Sequence, residues 1–341
     1  MGPFAIILVW GGLLAMLSGS SFLSSEPPRG DALRRTTAVL HEAWLRRDGI
    51  LSFVDEVTGR AEPGELFGHY YPDIQSFAFS PKENVILAAT NHGLFHSRDR
   101  GNRFDLLSTE IADYDTNVPA VALRGDRIVV STYKDNEGRV LMSADYFKTS
   151  ITIFQEKDVA APSLAVSDTD LYFGLTDGRL MKYSFSNNSL IRVASFASRV
   201  GHLAVGPDNR IYVGLESGVY ASDDRGQFVR RAYLDTYPGA NEVTKLVADP
   251  LIAGRIYALT GYGFIRSNDA GETWQVYASL PDSGKNLVDV VAGGGVLIAA
   301  TEDRIYRSED HKNWNVFNPG LDRDISTVLG VRGRIIVGTA E

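Results

Sequence analysis

The chain has 341 residues, a net charge of −8 and no cysteine. The acidic balance argues against a nucleic-acid-binding surface, which needs clustered positive charge. The missing cysteine excludes attachment through a lipidated N-terminal cysteine. A hydrophobic share of 44% and 33 glycines are typical of a β-rich globular domain.

Residues 1–23 are hydrophobic, and Pro3 to Leu23 carries no charge. This length is close to the roughly 20 residues that cross a bilayer as a helix. Small residues at Ser18 and Ser20 suit the cleavage site of a signal peptide, which is the first interpretation. However, Arg29 is the first basic residue, so the basic segment of a signal peptide is missing. We therefore predict a retained transmembrane helix.

Residues 24–48 are predicted to connect this helix to the folded domain. Ser24 to Gly30 contains Pro27-Pro28 and indicates a short, stiff linker. Asp31 to Arg47 places Leu33, Leu40 and Trp44 along one stripe among basic residues, which favours an amphipathic helix. We expect this helix to pack on the edge of the domain. Its alternative role is docking at the membrane surface or on a partner.

Residues 49–341 form the predicted folded domain, in which a unit of roughly 40 to 45 residues recurs. Each unit reads as an apolar strand, a turn, a second strand that is apolar throughout, and a third strand that leads into a hairpin. The hairpins begin at serines 97, 143, 222, 267 and 308. A further unit around Leu180 to Ser184 has lost the hairpin motif. Four short strands in each repeat predict an all-β fold, the β-propeller.

The hairpin motif is clearest from Ser267 to Trp274, where it reads Ser-x-Asp-x-Gly-x-Thr-Trp. The second copy has Phe147 at the glycine position and Ser150 at the aromatic position, and the last copy has Lys312 in place of glycine. The motif residues of the five copies are Ser97, Asp99 and Gly101; Ser143 and Asp145; Ser222, Asp224 and Gly226; Ser267, Asp269, Gly271, Thr273 and Trp274; and Ser308, Asp310 and Trp314.

The motif has a structural explanation. Ser and Asp side chains hydrogen-bond to the backbone of their own turn, and Gly supplies a positive φ there. The aromatic residue buries a large area between neighbouring units. Because these aspartates recur from unit to unit, we interpret them as structural rather than catalytic.

These hairpins resemble the Asp-box, or BNR, repeat of sialidases, sortilin-type receptors and the photosystem II stability and assembly-factor propellers. The resemblance covers roughly residues 70 to 318, and only the copy at Ser267 matches fully. It implies the fold far more than the function. Such propellers are mostly exported, which places the domain in the periplasm. The basic residues Arg29, Arg34 and Arg35 favour the alternative, the cytoplasmic face.

The number of blades depends on the two ends of the chain. Six units lie between about residues 73 and 318, followed by two further strands, Ile325 to Leu329 and Arg334 to Gly338. Gly49 to Val54 and Glu65 to Gly68 are predicted to supply the two missing outer strands. A ring of seven blades closed by both termini would then leave no open sheet edge. The alternative is six blades with a loose hairpin.

Two functions remain open. Sialidases with this repeat use three arginines, a Tyr–Glu pair and an acidic residue, and the Phe/Tyr-Arg-Ile-Pro motif of their first arginine is missing here. We identify no catalytic residue, metal site or cofactor. The first hypothesis is a membrane-tethered scaffold, stability or assembly subunit of an integral membrane complex, as the photosystem resemblance implies. The alternative is a glycan-directed protein, either a divergent hydrolase or a lectin-like binder.

Overall fold

The computed structural model describes residues 51–55, 61–63, 73–107, 116–222, 226–321, 324–331 and 334–340. The predicted membrane helix, linker and amphipathic helix lie outside these residues. The helical segments within them are two 3-10 turns, Ala232–Thr236 and Pro281–Gly284. No helix in these ranges has the length and apolar character to cross a bilayer.

The described residues form an all-β propeller, which confirms the predicted fold class. Strands β1 (Leu51–Asp55) and β2 (Ala61–Pro63) precede six blades of four consecutive antiparallel strands. Blades 1 to 3 contain β3 (Ile74–Ser80), β4 (Val85–Thr90), β5 (Gly93–Ser97) and β6 (Asp105–Leu106); β7 (Asn117–Arg124), β8 (Arg127–Lys134), β9 (Glu137–Ser143) and β10 (Ile151–Lys157); and β11 (Ser163–Val166), β12 (Asp170–Gly174), β13 (Arg179–Ser184) and β14 (Ser189–Ser195). Blades 4 to 6 contain β15 (His202–Val205), β16 (Ile211–Leu215), β17 (Gly218–Ser222) and β18 (Phe228–Arg230); β19 (Val243–Ala248), β20 (Ile256–Thr260), β21 (Gly263–Ser267) and β22 (Gln275–Val276); and β23 (Asp289–Gly293), β24 (Val296–Ala300), β25 (Ile305–Ser308) and β26 (Asn315–Phe317).

The second strand of each blade carries most of the core. Every residue of β4, β16 and β20 is buried, as expected for apolar strands with a neighbouring blade on each side. The buried clusters span blade boundaries: Tyr212 of blade 4, for example, packs with Ile256 and Ile265 of blade 5. The propeller therefore has a series of cores between blades rather than one central core.

The last two strands are β27 (Asp324–Val331) and β28 (Arg334–Ala340), and they are not a loose hairpin. Strand β28 pairs with β1, which pairs with β2, so a four-stranded sheet combines both ends of the described chain. The predicted segment Gly49 to Val54 largely coincides with β1. The second outer strand is Ala61–Pro63, whereas the predicted Glu65 to Gly68 lies outside the described residues.

This terminal sheet, defined as β1, β2, β27 and β28, stands between blades 6 and 1. Ile336 packs with Ile74 and Phe95 of blade 1, and Ile335 packs with Ile298 of blade 6. Blade 1 packs so closely on this sheet that position 338 accommodates only glycine, since a Cβ there would lie 2.8 Å from the Cβ of Ile74. The terminal sheet thus fills the gap between the first and the sixth blade.

Candidate functional site

The Ser267 turn has the hydrogen bonds that the motif predicts. Ser267 Oγ donates to Asp269 Oδ1 at 2.7 Å and accepts from the Gly271 amide at 2.8 Å. Asp269 also accepts from the amide and the hydroxyl of Thr273, at 2.9 and 2.5 Å. Partial burial opposes ionisation of Asp269, but the hydrogen bonds from Thr273 and Ser267 outweigh it and lower the pKa of this carboxyl.

The Trp274 side chain fastens this turn to the previous blade. It is buried, and its indole N–H donates to the Gly271 carbonyl at 3.0 Å. Its ring belongs to the cluster that contains Tyr212 and Val219 of blade 4. The aromatic position therefore buries apolar area between blades, as the sequence indicated.

In blade 1 the same network recurs. Ser97 Oγ donates to Asp99 Oδ1 at 2.7 Å and accepts from the Gly101 amide at 2.6 Å. Asp99 accepts from the Arg103 amide at 3.0 Å. Phe104 is buried between blade 1 and the terminal sheet. This copy keeps the serine–aspartate bond and the two bonds from later backbone amides despite its divergent sequence, and it lacks the hydroxyl bond that Thr273 provides.

In blade 2 one residue combines two positions of the motif. Ser143 Oγ donates to Asp145 Oδ1 at 2.9 Å and accepts from the Phe147 amide at 2.8 Å. Phe147 adopts the positive φ of the missing glycine, at 59°, and its buried ring packs on blade 1. The Thr149 amide donates to Asp145 Oδ1 at 2.9 Å, as the Thr273 amide does to Asp269, so Ser150 stands at the aromatic position while Phe147 supplies the buried aromatic side chain.

The remaining two copies differ. In blade 4, Asp224 lies outside the described residues. Ser222 Oγ accepts from the Ile211 amide at 2.9 Å, and Gly226 has the positive φ of the motif, 77°. In blade 6, Ser308 Oγ donates to Asp310 Oδ1 at 3.2 Å. The remainder of this last turn departs from the motif.

The blade 6 turn is one residue shorter than the motif. The prediction that Lys312 takes the place of the motif glycine was therefore wrong. Asp310 accepts from the amides of Lys312 and Asn313 at 2.9 and 2.7 Å, whereas Asp269 bonds to the residue four positions later. His311 alone takes a positive φ, 58°. Trp314 is only partly buried, and its indole N–H donates to Ser279 Oγ at 3.0 Å.

The motif serine is expected to matter more than the aspartate. Ser267 is 1% exposed and satisfies a buried amide, whereas Asp269 lies at the surface. Replacing Ser267 with Ala should lower the free energy of unfolding by roughly 1–3 kcal/mol, because the Gly271 amide loses its acceptor. Asp269→Ala should lower the free energy of unfolding by about 1 kcal/mol, since water replaces the lost bonds. Denaturant unfolding measures both values, and a larger loss for Asp269→Ala would contradict this ranking.

The two ends of the ring carry different side chains. We call the end with the Ser-Asp turns the turn face. The turn between β19 and β20 lies at the same end, because its Gly254 carbonyl accepts from the Ala270 amide at 2.8 Å. We call the opposite end the loop face, because the loops that link successive blades lie there. On it the Gly261 amide donates to the Glu242 carbonyl at 3.1 Å. The candidate functional residues lie on the loop face.

Asp289 ties three inner strands together where the central channel opens on the loop face. This carboxylate is 1% exposed, and it lies 2.7 Å from Lys245 Nζ of blade 5. It accepts from the Thr327 hydroxyl at 2.8 Å and the Val328 amide at 2.9 Å, both in the terminal sheet. Because these donors satisfy both carboxylate oxygens, we assign Asp289 a structural role.

His202 begins the inner strand of blade 4 at the same mouth. Burial and the charges of Lys245 and Arg199 lower the pKa of His202 to about 4, although Asp289 opposes the shift. The imidazole is therefore neutral at neutral pH. The unfolded chain therefore takes up a proton at His202 more readily than the folded protein does. As the pH falls from about 6.5 towards 4, this difference lowers the free energy of unfolding.

The channel wall behind this mouth is apolar. A cavity of about 260 Å³ is lined by the ends of the inner strands of blades 2 to 5. The lining residues are Ala122, Leu123, Leu164, Ala165, Val166, Leu203, Ala204, Val205, Leu246, Val247 and Ala248. This part of the channel offers apolar contacts, and it does not contain the convergent carboxylates that a glycosidase-type site would need.

A groove of about 530 Å³ lies on the loop face between blades 5 and 6. Leu280 and Leu287 form its buried apolar floor. Its rim is charged, with exposed Lys285 on the blade 5 side and exposed Glu302 and Arg304 on the blade 6 side. An apolar floor with a few charged groups at the edge is the usual make-up of a binding groove.

Tyrosines extend this surface towards blade 4. The ring centroids of Tyr233 and Tyr237 are 6.1 Å apart, and those of Tyr237 and Tyr262 are 5.0 Å apart. The turn that carries Tyr262 touches the groove loop, because a Cβ at Gly263 would lie 2.6 Å from the Ser283 carbonyl. Partly exposed tyrosines beside a groove are common at protein interfaces.

The sequence did not single out the groove or the channel mouth. One signal was present: Asp289 is the only charged residue in an inner-strand run that is otherwise valine. Metal binding has no support from the described residues, which contain no cluster of three His, Cys, Asp or Glu side chains.

Comparison with known proteins identifies the fold and no family. No protein-family profile and no characterised protein matches the sequence. Similar solved structures include YCF48 bound to a D1 peptide, with 13% identity and a TM-score of 0.59 over 79% of this chain and 93% of that chain. A chain of the mitotic checkpoint complex has 14% identity and a TM-score of 0.58 over 79% and 90%.

An extracellular domain is also similar. The extracellular domain of the one-component system BT4673 from B. thetaiotaomicron has 17% identity and a TM-score of 0.61, over 81% of this chain and 38% of that chain. At these identities the likeness concerns the backbone only, because one propeller architecture serves many unrelated functions. The comparisons therefore agree with the strand topology that this chain is a β-propeller.

Proposed function

We propose that this chain is a non-enzymatic, membrane-tethered propeller that acts as a scaffold, stability or assembly subunit of an integral membrane complex. The groove between blades 5 and 6 is the single observation that carries this proposal. It offers an apolar floor and a charged rim to an extended segment of a partner protein. We propose a photosynthetic or other energy-converting complex as the partner, with the propeller on the periplasmic side.

The make-up of the groove suits a peptide segment. Leu280 and Leu287 give an apolar side chain of the partner a buried surface, and such anchors provide most of the binding energy at interfaces. Lys285 and Glu302 stand on opposite sides, so they fix the orientation of a segment that carries both charges. YCF48, solved with a D1 peptide, is a propeller of similar backbone, and this supports a peptide-like partner.

The N-terminal segment supplies the second half of the proposal. A transmembrane helix at residues 1–23 would hold the groove close to one membrane face. Tethering raises the effective concentration of the propeller near its partner, so a contact of modest affinity suffices. We also propose that the terminal sheet acts as a seventh blade, which makes the tethered domain a closed ring.

Reversing the charge at the groove tests the proposed contact. Lys285→Glu should reduce the fraction of protein that co-migrates with the native membrane assembly in mild detergent at least tenfold, roughly 1.4 kcal/mol of binding. Arg192→Glu is the matched control, because Arg192 is an exposed cation on the outer strand of blade 3. Both variants should unfold like the wild type. Equal co-migration of the two variants would contradict the groove as the contact surface.

A further inference from the structure

A chain of four polar groups crosses the boundary between blades 5 and 6 on the turn face. The Tyr257 hydroxyl of blade 5 lies 3.2 Å from Asp249 Oδ2 and 2.9 Å from His311 Nδ1 of blade 6. The other ring nitrogen, His311 Nε2, lies 3.2 Å from the Gly295 carbonyl oxygen. Tyr257 is fully buried, whereas His311 is half-buried at the surface, where protons reach it.

The number of protons decides how many of these contacts are hydrogen bonds. A carbonyl oxygen only accepts, so His311 Nε2 must carry a proton to bond to Gly295. In a neutral ring Nδ1 is then an acceptor, and the single Tyr257 proton serves either His311 or Asp249, but not both. In the imidazolium, Nδ1 donates to Tyr257, Tyr257 donates to Asp249, and every contact has its proton.

Backbone amides hold the carboxylate at one end of this chain in place. Asp249 also accepts from the amides of Leu251 and Ile252, at 2.9 and 3.2 Å, which fixes its carboxylate. Arg255 lies 3.6 Å from the same carboxylate and is the nearby cation on blade 5.

The other titratable groups around the boundary are tyrosine and charged side chains. They are Tyr277 and Arg266, which contact each other within blade 5, and Asp310 and Lys312, which flank His311 in the blade 6 turn. Burial and the charges of Tyr277 and Asp249 raise the pKa of Tyr257, so its hydroxyl keeps its proton.

We propose that His311 is a proton-controlled clasp between blades 5 and 6. When His311 takes up one proton, every contact in the chain Asp249–Tyr257–His311–Gly295 becomes a hydrogen bond. The His311 imidazolium is then linked to the Asp249 carboxylate through the Tyr257 hydroxyl. Charge-assisted hydrogen bonds are roughly twice as strong as neutral ones. Acidification through the range in which histidines titrate therefore tightens this boundary. The inference does not depend on the proposed function.

A double-mutant cycle at two pH values tests the clasp. The variants are Tyr257→Phe, His311→Asn and their combination, with Asn chosen because it tolerates the positive φ of His311. The coupling between the two sites, expressed as a ratio of folding equilibrium constants, should be severalfold larger at pH 5.5 than at pH 8, because a charge-assisted hydrogen bond is stronger than a neutral one. The protonation of His202 affects all four proteins equally and cancels. A coupling that stays constant or falls would overturn the proposal.

A second measurement applies if Tyr257→Phe fails to fold. Nitrogen-15 spectra of the wild-type histidine rings report the protonation of each ring nitrogen. At pH 5.5 the His311 ring should have both nitrogens protonated. A neutral His311 ring at that pH, with Nδ1 as an acceptor, would also overturn the proposal.

Discussion

Deletion of residues 324–341 is expected to abolish soluble folding. The deletion removes β27 and β28, the two inner strands of the terminal sheet. Their large buried side chains are Ile325, Val328, Val331, Ile335, Ile336 and Val337. At about 1.5–3 kcal/mol for each buried side chain, the loss is on the order of 9–18 kcal/mol. That is comparable to the whole net stability of a folded protein, about 5–15 kcal/mol.

The deletion also leaves two apolar surfaces without cover. Ile74 of blade 1 and Ile298 of blade 6 would face solvent, and open strand edges promote aggregation. Size-exclusion chromatography of the truncated protein checks this expectation, with removal of residues 1–28 alone as the control that should remain folded. A soluble truncation that unfolds cooperatively would mean that six blades suffice and that the terminal sheet is dispensable.

Asp289→Ala is expected to lower the free energy of unfolding by roughly 3–5 kcal/mol. The substitution leaves the buried Val328 amide without an acceptor and the Lys245 ammonium without its counter-ion. It also removes a side chain that joins blade 5, blade 6 and the terminal sheet. Denaturant unfolding monitored by fluorescence measures the change.

Asp168→Ala is the matched control for this substitution. Asp168 also pairs with a cation, Arg124 at 2.8 Å, but both side chains are more than half exposed. Ion pairs at the surface contribute little, so the control should unfold like the wild type. Equal losses for Asp289→Ala and Asp168→Ala would contradict the role assigned to Asp289.

The sequence predicted what depends on local pattern. The Ser267 and Ser97 hairpins were predictable because each side chain bonds within its own turn, a few residues away. The fully apolar second strands were predictable because burial on both faces leaves no polar position. Even the divergent Ser143 turn kept its hydrogen bonds, although the role of Phe147 needed the structure.

The binding face could not be predicted in this way, because it depends on residues far apart in the chain. Leu280 and Arg304 belong to different blades, and only the ring brings them into one groove. Asp289 of blade 6 and Thr327 of the terminal sheet are likewise partners that lie far apart in the chain. The outermost strand of the terminal sheet, Ala61–Pro63, has only three residues, too few for a strand pattern to stand out in the sequence.

The size of the native protein in mild detergent tests the central claim most directly. If the chain is a membrane-tethered scaffold, the wild-type protein should migrate with a large integral membrane assembly, and removal of residues 1–28 with another export route supplied should weaken that association. A free monomer that hydrolyses sialosides or other glycosides would contradict the scaffold and favour a glycan-directed protein.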